Sequence, residues 1–124
     1  MTQTLAIAAG GALGAVLRFW SAQWVYALLG RGFPYGTLAV NLLGSFLMGL
    51  LFVLLVERLS VDGSWRAFLL VGLLGAYTTF STFSMETLQL ILEGEGGKAL
   101  ANILASVLLC LGGAWLGLMT GRSL

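Results

Sequence analysis

The chain has 124 residues, 59% of them hydrophobic and 9% charged, with no histidine and a net charge of +1; its mean hydropathy is +0.99. That composition excludes a water-soluble globular domain and describes an integral membrane protein. With six basic residues scattered along the chain, there is no basic tract to hold a nucleic acid.

A helix needs about 20 apolar residues to cross the hydrocarbon of a bilayer. Four stretches qualify: residues 5–29, 36–56, 65–92 and 99–119. The first is too long, and interrupted too deeply by Arg18, to be a cleaved leader, so it is expected to be retained. An arginine at the centre of a span costs about 2.5 to 3.5 kcal/mol on insertion scales. Arg18 therefore either snorkels to an interface or faces a polar interior. A turn of glycines and the only proline, Gly30 to Tyr35, separates this span from the second. There Asn41 either bridges two helices or offers its amide to the interior.

The third stretch holds the most information. Residues 65–92 would make roughly 42 Å of helix, against a hydrocarbon core of about 30 Å. A break near Gly75 to Phe80 would shorten it, and Gly75, just ahead of Tyr77-Thr78-Thr79, is the expected place. Broken helices at membrane depth expose carbonyls and half-helix ends, which attract cations and anions respectively. Beyond the break, Phe80 and Phe83 share a helical face, with Ser81 and Ser84 forming an adjacent stripe and Thr82 beside it. An unpartnered hydroxyl in hydrocarbon costs roughly 2 to 7 kcal/mol, so this run must meet something other than lipid. Aromatic rings have positive edges and hydroxyls replace lost water, a lining suited to a small anion. Glu86 lies either in that interior or at the mouth of the span.

The fourth stretch contributes hydrophobicity and length. Its Cys110, the only cysteine, permits no disulfide or thiolate cluster within one chain and reads as inert filling. No carboxylate pair, histidine set, activated nucleophile or phosphate loop occurs at catalytic spacing, so no enzyme is expected.

Loop charges are nearly balanced: Arg58, Arg66 and Arg122 on one face, Arg31 and Lys98 on the other. Cytoplasmic loops normally collect lysine and arginine, so this chain either inserts in both orientations or is weakly biased to one. Opposite copies could pair about a two-fold axis in the membrane plane. Small residues at Gly10/Gly14, Ser45/Gly49, Gly72/Ala76 and Gly113/Gly117/Gly121 allow close helix contact, most of it within the bundle and the rest between copies.

Three blocks, residues 10–18, 36–45 and 72–83, together resemble the Fluc (CrcB-type) fluoride ion channels, and the likeness spans the whole chain. The resemblance implies an all-α, four-helix membrane protein with a broken third helix. It would form an antiparallel dual-topology homodimer, multi-pass in the bacterial cytoplasmic membrane, with two pores and a central sodium ion. Phe80 and Phe83 would line the pore, with Asn41 as a fluoride-coordinating amide and Ser81, Thr82 and Ser84 as a polar track. Arg18 would give the vestibule positive potential, with Glu86 and Thr37 near a vestibule or pore end. Backbone carbonyls of Gly75 and Thr78, each contributed twice, would hold the sodium. Ala76 departs from the glycine expected in many members.

The implied function is passive export of fluoride. The ion enters acidified cells as neutral HF, is trapped on dissociation, and leaves down the membrane potential. The principal rival is a small four-helix proton-coupled cation or drug antiporter, but that reading needs an acidic residue in the first span, where this chain has Arg18. A non-transporting assembly protein would leave residues 80–84 without a purpose.

Overall fold

In the computed structural model, residues 2–124 are described, and they are helical except for three short loops and one internal break. Helix α1 is Thr2–Leu29. The second span is α2, Tyr35–Phe52, continued by a π-helical turn over Val53–Arg58. The third comprises α3, Gly63–Arg66, a π-helical stretch Ala67–Leu74, α4, Gly75–Tyr77, and α5, Phe80–Leu92. The fourth is a single helix, α6, Gly96–Ser123. All four spans are long and apolar enough to cross a membrane.

The turns follow from local chemistry. Gly30 and Gly94, at the C-terminal ends of α1 and α5, take φ of +82° and +80°, a left-handed conformation that glycine adopts without a Cβ penalty. Asp62 caps α3 by accepting from the Ser64 N–H at 3.0 Å.

The bundle is built from two close pairs. Helix α1 lies along the π-helical part of the third span, and α2 along α6. Both contacts use glycine. A methyl at Gly14 would collide with the Leu73 carbonyl, and one at Gly10 with that of Phe68. In the other pair, methyls at Gly49 and Gly117 would strike the Ala114 and Phe46 carbonyls. Without a hydrophobic drive between helices in lipid, such backbone approach carries the packing. The small residues at 10, 14, 49, 72, 117 and 121 thus serve contacts inside one chain.

A second tie is polar and buried. Ser106 donates to Asn102 Oδ1 at 3.3 Å, Asn102 Nδ2 donates to Thr87 Oγ1 at 2.9 Å, and Thr87 donates to the Phe83 carbonyl at 2.7 Å. All three side chains are buried, and Asn102 is 1% exposed. This ladder joins α6 to α5 and ends on the backbone of Phe83.

Candidate functional site

The break falls at Thr78 and Thr79, whose backbones are extended, with ψ of 158° and 116°. This corrects the expected position: Gly75 keeps helical angles, φ −61° and ψ −37°. The reason is tertiary. Asn41 on α2 grips Thr79, its Oδ1 accepting the Thr79 N–H at 2.7 Å and its Nδ2 donating to the Thr79 carbonyl at 3.0 Å. The Thr79 hydroxyl then caps α5 by accepting the Thr82 N–H at 3.1 Å. On the other side of the break, Arg18 of α1 donates from Nε to the Ala76 carbonyl at 3.0 Å. Arg18 is thus tied through Nε to the backbone at the break. The Thr78 hydroxyl returns to the Leu74 carbonyl at 3.1 Å.

Among the described residues, none donates a hydrogen bond to the carbonyls of Gly75 or Thr78. Gly75 is exposed, and a Cβ there would meet nothing nearer than the Leu70 carbonyl at 3.8 Å. Open carbonyl oxygens on an accessible face suit a hard cation such as sodium. Among the described residues no group of three acidic, cysteine or histidine side chains is placed to bind a metal, so the ligands for a cation at this place would be neutral oxygens.

Phe80 and Phe83 stand with ring centroids 5.4 Å apart at 44°. Their exposures differ sharply: Phe83 is 9% exposed and Phe80 77%. Both line a groove of about 440 Å³ with Asn41, Thr79, Ser106 and Cys110. Because Asn41 uses its oxygen and one N–H on Thr79, one amide hydrogen remains for a ligand. Thr79 also lines a second chamber of about 270 Å³, where Arg18, Thr37, Thr82 and Glu86 meet. Ser81 and Ser84 line neither. Both are exposed on α5, Ser84 donating to the Phe80 carbonyl at 2.9 Å and Ser81 lying 3.4 Å from the Thr79 hydroxyl.

Sequence reasoning missed Thr79 as the pivot of the break, and it missed Tyr26, Thr87, Asn102 and Ser106. An asparagine and a serine one helical turn apart in an apolar span were the available signal for the last two. Cys110, read as filling, borders the groove beside the phenylalanine pair.

Four apolar spans, the third broken at membrane depth and sealed by an arginine and an asparagine from its neighbours, define a membrane protein whose interior polar groups converge on the break. The chain belongs to the CrcB family: residues 5–118 match the family described as CrcB-like protein, Camphor Resistance (CrcB). It is 59% identical over 116 residues to the fluoride-specific ion channel FluC of Magnetococcus marinus, covering 94% of each chain. The FluC of Geobacter metallireducens is 51% identical over the full length of both. That of Methylococcus capsulatus is 55% identical over 96% of this chain, which spans 52% of that longer relative.

Proposed function

We infer that this protein is a passive fluoride channel of the bacterial membrane, multi-pass and without enzymatic activity. Its relatives are named fluoride-specific ion channels. The observation that carries the reading in the chain itself is the convergence at one break of an asparagine amide, two phenylalanines and threonine hydroxyls, in a groove that shares Thr79 with the adjoining Arg18 chamber. These groups replace water around a small anion while presenting no fixed countercharge beside the rings. The antiporter alternative has no support: the family is that of fluoride channels, and the first span holds Arg18 where a proton-carrying carboxylate would be needed.

The finer reading is a dual-topology antiparallel homodimer with two pores. In a single chain Gly75, Phe80, Ser81 and Ser84 of the third span all lie exposed, and lipid would solvate the serine hydroxyls and the open carbonyls poorly. A second, inverted copy would cover it and close the groove into a pore. The balanced loop charges support insertion in both senses. The open carbonyls of Gly75 and Thr78, doubled by the two-fold axis, support a sodium ion at that interface, where it would offset the crowded carbonyl dipoles. Ser81 and Ser84 belong on this reading to the wall completed by the partner, with Thr37 and Glu86 in the vestibule beside Arg18.

Fluoride efflux from liposomes containing the purified protein tests the function, with chloride as comparison. Fluoride-selective flux is expected. Equal flux of both anions, or none, would refute it.

A further inference from the structure

Two cavities meet at one wall. The Arg18 chamber includes Tyr26, Arg31 and Glu86. A third cavity, of about 220 Å³, contains the same three residues together with Gly32, Phe33 and Pro34 of the first loop and Gln89 and Glu93 of α5. Tyr26, Arg31 and Glu86 therefore stand between a chamber at the loop surface and the chamber that reaches the break.

The wall is ordered by specific contacts. The Tyr26 hydroxyl donates to Glu86 Oε2 at 3.1 Å. The other oxygen, Oε1, is buried and accepts no hydrogen bond in the chain. Tyr26 itself is seated firmly: a Cβ on buried Gly36 would collide with its ring, and the Arg31 guanidinium lies 4.5 Å from the ring centroid. Arg31 is held in turn by Gln23 Oε1 at 2.7 Å. A carboxylate tied through one oxygen keeps a fixed rotamer, and untied it is free to swing into either chamber.

Resting on the channel reading, we propose that Tyr26 is a positioning residue of the conduction path. Its hydroxyl holds the Glu86 carboxylate against the wall, away from the fluoride ion passing between the loop-side chamber and the Arg18 chamber. The partition matters because Glu86 is a negative charge on an anion's route. A carboxylate brought to about 4 Å from the ion in water lowers its occupancy about fivefold.

The test is fluoride efflux from liposomes for the wild type, Tyr26→Phe, Glu86→Gln and the Tyr26→Phe/Glu86→Gln double variant. Tyr26→Phe should slow efflux about fivefold, and the loss should vanish when the same substitution is compared within the Glu86→Gln background. The loss should also shrink when an impermeant salt raises the ionic strength, which a packing defect would not do. Gly36→Ala, which displaces the ring without removing the hydroxyl, should reproduce the loss and the rescue. No loss in Tyr26→Phe, or an equal loss in both backgrounds, overturns the proposal. Absence of fluoride flux through the wild type overturns instead the channel reading on which it rests.

Discussion

Replacing Asn41 by alanine separates two roles that one side chain plays. The change leaves the Thr79 N–H and carbonyl without their partners at 2.7 and 3.0 Å. A buried backbone group stripped of its bond costs about 1 to 3 kcal/mol. Thr79 borders the groove and is only half-buried, so the lower end applies to each group, and the sum is about 2 kcal/mol, a roughly thirtyfold shift in the folding equilibrium. Thr79→Ala should do less, about 1 kcal/mol, because the main loss is the cap to the Thr82 N–H, and the Thr82 and Ser81 hydroxyls that also meet Thr79 Oγ1 are not fully buried. Asn41→Asp keeps an acceptor for the Thr79 N–H but sets a carboxylate oxygen against the Thr79 carbonyl, and should lose both stability and fluoride flux. Reversible unfolding in mixed micelles reads the stability, and liposome efflux reads the flux. If Asn41→Ala abolishes flux yet unfolds like the wild type, the strut role is wrong and Asn41 acts on the ion alone.

Phe80→Ala should remove most fluoride flux while leaving the single chain nearly as stable, because 77% of Phe80 is exposed in it; Phe83→Ala should lower both, by about 3 kcal/mol in stability, since that ring is 9% exposed. Unfolding and efflux measured on the pair would reject this if the two variants behaved alike. Gly117→Ala, which drives a methyl into the Phe46 carbonyl, should destabilise by about 1 to 3 kcal/mol, whereas Gly112→Ala, with open space around it, should be neutral or slightly stabilising. Equal unfolding midpoints would contradict the close-approach account of the α2–α6 contact. Reporters fused to the C-terminus should label both sides of the membrane; labelling of one side only would reject dual insertion.

The spans were legible because length and hydropathy decide them, and the run from Gly75 to Ser84 because hydroxyls in an apolar segment need a polar neighbour. The exact break was not. Gly75 is the weakest helix former there, yet it stays helical, since the chain opens where Asn41 captures Thr79, a contact 38 residues away that no local propensity encodes. The buried ladder of Thr87, Asn102 and Ser106 escaped for a similar reason: averaged hydropathy makes α6 look uniform, and its polar face becomes visible only against α5. Nothing local marks Tyr26, whose bond to Glu86 spans 60 residues.

The groups that seal the break come from three different helices: Arg18 from α1, Asn41 from α2, and the Thr79 hydroxyl from the third span itself. An isolated third span entering the bilayer has none of the first two, and for it an unbroken helix satisfies the backbone best. The discontinuity is therefore a property of the assembled bundle and not of the third span alone.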